Sequence, residues 1–502
     1  MAKPFIHYQE KNGNQYASIY VPRWENGHKV NDITNLGRVI NKEDGIFKSR
    51  ARGIFKYNLV NGYSDVLDDN YDVIKDFKST LIFGDVYIAY NILNSLGYIE
   101  LIKKIFGEFA ETTIALVLHR LLTDRPNVDA NFWYNGTFIK ILCPNAKLDS
   151  RRISEYLAKI GSQKFHDTFF TQYLNNLYTK DKSCSILIDS TGLQNDIKIQ
   201  YTQISNHNGQ INNEARLIYV IDRKTKMPIY YRLIAGNIID VSTLKKILDD
   251  LKLYDIDVNF AILDAGYYSE DNIKQLFANK INFITRLIGN RLIYKELVAS
   301  NYDKIIHIKN KNIHAGRLIH VLKQKFNLFG HTMYAYISID HKRMYEEVLR
   351  LGLNSVNAKN TSIEELETER KTAGLFIIIS SIDIDINEIL PFYYQRQTIE
   401  QIFDVSKNHV SLLPVRCHNL ETFNGHLLIS FIATITYLVI NNKFNHIQYN
   451  ALNIFSIFHY LFCDIKGDTI SIHELNKDMK EIMKMLNISV SDLPSKMPDK
   501  QN

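Results

Sequence analysis

The chain has 502 residues, of which 45% are hydrophobic and 23% charged, and its formal net charge is +6. This balance excludes a disordered chain or a short peptide, and the length allows two to four domains of about 150 residues each. The four cysteines form no CxxC pair, so neither a zinc cluster nor a disulfide framework is indicated.

Two further features concern the compartment. The amino terminus has no apolar signal-peptide core, and the cysteines are scattered, so we expect a cytoplasmic protein in a reducing compartment. The most apolar stretch, residues 427–440, has about 14 residues, whereas a bilayer span needs about 20. It predicts a buried core helix and no membrane association.

The amino-terminal third predicts two segments. Residues 1–60 alternate polar and apolar side chains around Gly and Asn turns, which indicates a small, basic, β-rich module of short strands. Residues 61–180 change to apolar positions at i, i+3, i+4 and i+7, which predicts a helical region.

The rest of the chain predicts a multidomain α/β protein. Residues 181–287 follow the order strand, strand, strand, helix, strand, helix, strand. This order predicts a mixed sheet with an antiparallel meander at one side and parallel crossovers at the other, which is the ribonuclease H-like topology. A strand-rich insertion is expected at 288–373, the second part of the core at 374–440, and a helical carboxyl-terminal tail at 441–502.

Two aspartates stand where predicted buried strands end. Asp189 ends the apolar run of SILIDSTGL, and Asp264 ends that of FAILDAGYYS. Such strand ends are the usual place for ligands on an α/β sheet. A buried carboxylate also needs a cation or hydrogen-bond donors beside it. Taken alone, each aspartate is equally consistent with a turn or helix-capping residue.

A third group lies on a helix predicted from about residue 386 to 408. On one wheel, four polar side chains share a stripe about 60° wide: Tyr393, Arg396, Glu400 and Lys407. The opposite, core-facing stripe is apolar and contains Phe392, Ile399, Ile402 and Val405. The alternative is a solvated amphipathic helix with an i,i+4 pair between Arg396 and Glu400.

Together, Asp189, Asp264 and Glu400 could hold two divalent ions on either side of a phosphodiester. Oxygen ligands favour Mg²⁺ or Mn²⁺. Asp404 lies on the same predicted face as Glu400 and could replace it. Two other aspartates are expected to cap turns or helices, namely Asp196 and Asp240. The histidines of the later region have no metal-ligand spacing and are expected at the surface or on DNA: His307, His314 and His320.

The spacing Tyr393-x2-Arg396-x3-Glu400-x6-Lys407 resembles the signature of DDE transposases of bacterial insertion sequences. The segments DST at 189–191 and DAGYYS at 264–269 also resemble that family, as do LGRVINKEDG, LDSRRISEYLAKIG, GNIIDVSTL and GHLLISFIATITYLVI. The resemblance therefore covers most of the chain.

The resemblance implies a cut-and-paste DNA transposase. Asp189, Asp264 and Glu400 would be the catalytic, metal-binding triad for two Mg²⁺ or Mn²⁺ ions, and Tyr393, Arg396 and Lys407 would contact DNA near the cleaved end. The partners would be the double-stranded terminal inverted repeats and target DNA, with a homodimer in the synaptic complex. The protein would be bacterial and associated with the nucleoid. The amino-terminal region, including 61–180, would bind DNA. Two alternatives stay open: a ribonuclease H-like nuclease that does not join strands, and a transposase-derived DNA-binding protein.

The resemblance also implies that the insertion grips transposon-end DNA. Its basic side chains outnumber its acids, Glu296 and Asp303, over about 40 residues. They are Arg286, Arg291, Lys295, Lys304, Lys309, Lys311, Arg317, Lys323 and Lys325. Three aromatic residues that could stack on bases are interleaved with them: Tyr302, Phe326 and Phe329. Neither tryptophan of the chain, Trp24 or Trp133, lies in the insertion.

Overall fold

The structure is a computed structural model that describes residues 3–497, except 12, 26–27, 68–78, 180, 196, 198, 208–209, 358–362, 411, 414, 416 and 445–448. The described chain divides into two compact units. One comprises residues 1–84 and 457–502, and the other residues 85–456. This division is coarser than the six predicted segments, which stay a prediction.

The first unit begins with a six-stranded antiparallel sheet in which each strand pairs with the next along the chain. The strands are β1 (Phe5–Lys11), β2 (Asn14–Glu25), β3 (His28–Asn41), β4 (Ile46–Ser49), β5 (Gly53–Asn58) and β6 (Gly62–Leu67). One face buries a small core that includes Leu36, Phe47 and Phe55. Strands β2 and β3 are 12 and 14 residues long, so the expectation of short strands is wrong for this pair. A separate strand, β7 (Ser79–Ile82), follows.

Seven α-helices lie between residues 84 and 177, as the helical periodicity predicts, but the prediction of helix is wrong for the first part of 61–180, where residues 62–67 and 79–82 form β6 and β7. The helices are α1 (Gly84–Ser95), α2 (Tyr98–Phe106), α3 (Ala110–Leu122), α4 (Ala130–Gly136), α5 (Ile139–Leu142), α6 (Ser150–Ile160) and α7 (Gln163–Leu177). Helix α3 is buried on nearly every face, because its residues from Thr112 to Leu121 are all excluded from solvent. It is therefore a central helix of the second unit.

A ten-stranded mixed sheet forms the centre of the second unit. Its first strands and helices are β8 (Ser183–Gln194), β9 (Gln203–His207), β10 (Gln210–Asp222), β11 (Pro228–Ala235), α8 (Leu244–Leu253), β12 (Asp257–Leu263), α9 (Glu270–Ala278) and β13 (Asn282–Arg286). The strand order here is β11-β10-β8-β12-β13. Strands β11, β10 and β8 are antiparallel, whereas β8, β12 and β13 are parallel. The predicted meander and parallel crossovers are confirmed.

The strands of the insertion continue the same sheet. The elements are α10 (Leu292–Ala299), α11 (Tyr302–Ile305), β14 (Lys311–His314), β15 (Arg317–Leu328), β16 (His331–Asp340), α12 (His341–Asn357), α13 (Ile363–Thr372) and β17 (Leu375–Ser380). Strand β17 pairs with both β13 and β16, and β15 and β14 follow at the edge. All six residues of β17 are buried, as expected for a central strand.

The glutamate segment is not one continuous helix. It consists of α14 (Ile389–Tyr394), α15 (Gln397–Asp404) and a π-helical turn at Val405–His409. At the break, the chain tightens to i→i+3 hydrogen bonds, such as Arg396 N–H to Tyr393 O at 3.2 Å. Tertiary contacts hold the break: Arg223 lies over the Phe392 ring and donates to Gln395 at 2.6 Å. These contacts outweigh local helix propensity.

The remaining elements are α16 (Leu420–Phe444), α17 (Ala451–His459), β18 (Phe462–Lys466), β19 (Thr469–Ile472) and α18 (Lys477–Met485). Helix α16 contains the apolar stretch 427–440. It is long and apolar enough to cross a membrane, but it is mostly buried, which confirms the predicted core helix. The expectation of an entirely helical tail is wrong, because β18 and β19 form a hairpin around Gly467 that pairs with β7. Gly467 has a φ of 57°, which suits this tight turn.

Candidate active site

The two aspartates lie side by side on neighbouring strands. Strands β8 and β12 are parallel, and Leu263 is in register with Ile188. Asp189 and Asp264, the next residue after each of these, are therefore neighbours. Asp264 follows the end of β12, as predicted, but the prediction that Asp189 ends its strand is wrong, because β8 continues to Gln194 and pairs with β10 along that length. Burial raises the pKa of Asp189, and the neighbouring Asp264 adds to this, whereas Arg396 opposes it. In both strands the buried apolar residues come first, and the aspartate is the first side chain after them that is partly exposed.

Arg396 joins all three predicted carboxylates. Its Nη1 lies 2.6 Å from Asp189 Oδ2, and its Nη2 lies 3.4 Å from Asp264 Oδ1 and 3.2 Å from Glu400 Oε1. Burial alone would lower the pKa of Arg396, but the two aspartates more than offset this and raise it. The structure thus brings the predicted triad together around one guanidinium group.

The break between α14 and α15 decides where these side chains point. Arg396 stands at the amino-terminal end of α15 and reaches Asp189 and Asp264, and Glu400, one turn later, reaches Arg396. The predicted i,i+4 pair between Arg396 and Glu400 is present, but it is part of the larger cluster. Tyr393 belongs to α14 and is only 6% exposed, so it is a buried neighbour of the cluster. Burial, with a contribution from Asp264, raises its pKa to about 12.

Lys407 approaches the site from the π-helical turn. Its Nζ donates to Thr191 Oγ1 at 2.6 Å. Because side chains alternate along a strand, Thr191 lies on the same face of β8 as Asp189. Burial lowers the pKa of Lys407, and Glu214 opposes this shift. Lys407 is therefore a half-buried cation beside the triad.

Sequence reasoning missed two charged residues on β10. Glu214 is 6% exposed and packs on Gly192, where an added Cβ would lie 2.1 Å from Glu214 Oε2. Arg216 donates to Ser190 Oγ at 2.6 Å and pairs with Asp240 at 3.3 Å. The signal for both was the alternation of charged residues in the run NNEARLIYV, which places Glu214 and Arg216 on one face.

Other candidate residues have different partners. Asp240, expected to act as a cap, uses its carboxylate to pair with Arg216. Asp404 accepts from Asn408 at 2.6 Å and lies 3.8 Å from His409, so it does not replace Glu400. Asp196 lies outside the described residues.

The three histidines have other partners. His307 accepts from a backbone N–H, His314 stacks on Tyr394, and His320 bonds to His341. Their contact with DNA stays a prediction.

The nine basic residues of the insertion differ in how far they are already paired. Arg317 pairs with the buried Asp340 at 2.8 Å, and Lys323 pairs with Asp383. Arg291 and the lysines at 295, 304, 309 and 311 are exposed. Their contact with DNA stays a prediction.

The donor set at the triad has the chemistry of a divalent cation site. All three acids offer carboxylate oxygens, which Mg²⁺ and Mn²⁺ prefer. As the side chains stand, no three His, Cys, Asp or Glu residues in the described ranges are grouped closely enough to hold an ion. The positively charged guanidinium group of Arg396 pairs with all three acids.

Comparison with known proteins assigns the family. Residues 180–436, which are just over half of the chain, match the family described as the transposase DDE domain. The chain therefore belongs to the DDE transposase family, as predicted, while the bacterial insertion-sequence branch stays a prediction. The match contains β8, β12 and α15, which carry the three acids.

Solved structures of two transposases are also similar to this chain. One is a piggyBac transposase synaptic complex with hairpin DNA, with 13% identity, a TM-score of 0.38, and coverage of 75% of this chain and 79% of that one. The other is a Drosophila P element transposase strand transfer complex, with 12% identity, a TM-score of 0.16, and coverage of 62% and 84%. No curated protein matches the sequence. The family match alone carries the assignment.

Proposed function

We propose that the protein is a cut-and-paste DNA transposase of the bacterial insertion-sequence branch, with a ribonuclease H-like catalytic core. The strand order β11-β10-β8-β12-β13, antiparallel then parallel, supports this core. The single observation that carries the function is the convergence of Asp189, Asp264 and Glu400 on Arg396. These residues lie on three elements that are distant in sequence, so their meeting is a property of the fold.

Asp189, Asp264 and Glu400 would hold two Mg²⁺ or Mn²⁺ ions, and such ions supply activation of the attacking oxygen and stabilisation of the leaving oxygen of a phosphodiester. The site contains both acids and bases. The three carboxylates repel a negatively charged phosphate, so their charge must be compensated by cations before DNA can approach.

Arg396 and Lys407 are the phosphate-binding groups of this proposal. Guanidinium and ammonium groups both pair with phosphate oxygens, and Arg396 can present two parallel N–H groups. When a phosphate enters, Arg396 exchanges its carboxylate partners for phosphate oxygens. Tyr393, buried beside Asp264, would orient this end of α14 and contact DNA only at the cleaved end.

The test is a cleavage and strand-joining assay with DNA that carries the inverted repeats flanking the coding sequence. Asp189→Asn, Asp264→Asn and Glu400→Gln should each lose Mg²⁺-dependent cleavage while retaining DNA binding. Asp250→Asn is the matched control, because Asp250 is also a partly buried acid paired with an arginine, Arg232, but lies outside the site. It should retain cleavage.

The outcomes separate the alternatives. Cleavage without joining of pre-cut ends would indicate a nuclease. Binding without cleavage by the unsubstituted protein would indicate a transposase-derived DNA-binding protein. Normal cleavage by any of the three variants would remove that residue from the triad.

A further inference from the structure

A second charged site lies in the helical part of the unit formed by residues 85–456. Arg120, on α3, is only 2% exposed. Its guanidinium donates to Ser430 on α16, to His426 Nδ1 at 2.8 Å and to Asn127 at 3.4 Å. These partners hold the arginine in place between α3 and α16.

None of these partners carries negative charge. Burial lowers the pKa of His426 to about 3, so its ring is neutral. The ring accepts from Arg120 at Nδ1, and its Nε2 lies 3.0 Å from Leu412 O, to which it donates. Ser430 and Asn127 are uncharged. All three hydrogen-bond partners of the Arg120 guanidinium are therefore neutral groups.

The charge of Arg120 has no counter-ion in the described ranges. No carboxylate there forms an ion pair with it, and its Nε has no hydrogen-bond partner. Burial lowers the pKa of Arg120 to about 10, and the nearby Cys417 thiol offsets only part of this. A buried charge without a partner costs several kcal/mol, and folded proteins normally pair such a charge.

The arginine opens onto a cavity of about 300 Å³ whose lining is suited to an anion. The lining includes Arg125, which is exposed, and the first turns of two helices, represented by Ser150 of α6 and Thr422 of α16. The amino-terminal ends of helices carry partial positive charge. In both first turns a side chain already caps one backbone N–H: Asp149 accepts from Arg152 N–H of α6, and Asn419 accepts from Thr422 N–H of α16. One acid, Asp124, also lines the cavity, and its residue is exposed.

We infer that this cavity binds a phosphate group, held by Arg120 and Arg125. The occupant is either a phosphodiester of the DNA backbone or free inorganic phosphate, because both offer the same oxyanion. The DNA source rests on the proposed function, whereas phosphate binding as such does not. The site is separate from the triad, since it uses α3, α6 and α16 rather than the strand ends.

Inorganic phosphate is the first probe. In the full-length protein, phosphate should raise Tm saturably by roughly 2 °C or more over chloride at equal ionic strength. Arg120→Gln should lose this rise, and Arg125→Ala should weaken phosphate affinity about tenfold. Arg151→Ala is the control, because Arg151 is exposed on α6 and does not line the cavity. It should behave like the parent protein and so account for general salt effects.

Arg125→Ala keeps the test decisive if Arg120→Gln does not fold, because Arg125 is exposed. Identical phosphate responses in the parent, Arg125→Ala and Arg151→Ala proteins would overturn the inference.

DNA titrations then identify the source of the phosphate. A fall of about 0.9 in the slope of log K against log salt for Arg125→Ala, but not for Arg151→Ala, indicates a backbone phosphate. An unchanged slope with a lost Tm response indicates free phosphate.

Discussion

Arg396 offers the sharpest test of the candidate active site, because one side chain neutralises three acids. We consider Arg396→Met, which keeps much of the side-chain volume and removes the charge. Without the guanidinium, Asp189, Asp264 and Glu400 would face one another as like charges, and burial would penalise Asp189 most. A divalent cation should then become the stabilising partner that Arg396 was.

The contacts set the size of the expected effect. Asp189 and Arg396 are 15% and 19% exposed, and a hydrogen bond to a charged group at such a site contributes about 1.5–3 kcal/mol. Asp264 and Glu400 are 38% and 58% exposed, so solvent screening limits each to at most about 1 kcal/mol. Arg396→Met should therefore lower the free energy of unfolding by about 2–4 kcal/mol in EDTA. In saturating MgCl₂ the loss should fall below about 1 kcal/mol, since the folded state binds the ion.

The assay is urea unfolding at neutral pH, in EDTA and in MgCl₂. Arg232→Met is the matched control, because Arg232 on β11 and Asp250 on α8 form a pair that is 22% and 18% exposed and includes none of the three acids. The control should lose the same stability in both solutions. If Arg396→Met also loses the same stability in both, the acids around Arg396 do not form a cation site, and the reasoning is refuted.

Three further predictions concern other parts of the chain. Lys407→Ala removes the cation bonded to Thr191 and should weaken binding to transposon-end DNA, with a salt slope smaller by about 0.9 in anisotropy titrations; an unchanged slope contradicts phosphate contact. Gly161→Ala places a Cβ 1.8 Å from the backbone oxygen of Glu421, where α6 ends against α16. The substitution should lower the free energy of unfolding by more than about 1 kcal/mol, measured by thermal unfolding. An unchanged Tm would contradict this close approach. Burial lowers the pKa of His119 from 6.5 to about 4, so the unfolded chain binds the proton first and stability is lost as pH falls from 6.5 to 4. Between pH 7 and pH 5 the parent protein should therefore lose about 2 kcal/mol more of its unfolding free energy than His119→Phe does, as measured by urea titration at each pH. An equal loss in both proteins would show that His119 does not stay neutral in the folded state.

Much of the site could be predicted because its residues lie in strong local patterns. Asp189 and Asp264 follow apolar runs that predict buried strands, and neighbouring parallel strands bring such positions together. The sequence did not show that β8 continues to Gln194, because that depends on its pairing with β10. Glu400 was found from its spacing to Arg396 within a helical pattern. Glu214 and Arg216 were missed, because alternation places them on a face of β10 but does not say which neighbour they meet.

The sequence by itself determined the mixed sheet, the central apolar helix and the three acids, because alternation, helical periodicity and residue type act over short stretches. Only the tertiary structure decided that Arg396 stands among all three acids. It also broke the glutamate helix, buried Tyr393 and, among the residues that the structure describes, gave Arg120 no carboxylate partner. Each of these depends on contacts between residues far apart in the chain, such as Arg396 with Asp189 and Arg120 with His426. Such contacts override local propensity because burial and charge pairing outweigh the few tenths of a kcal/mol that separate local conformations.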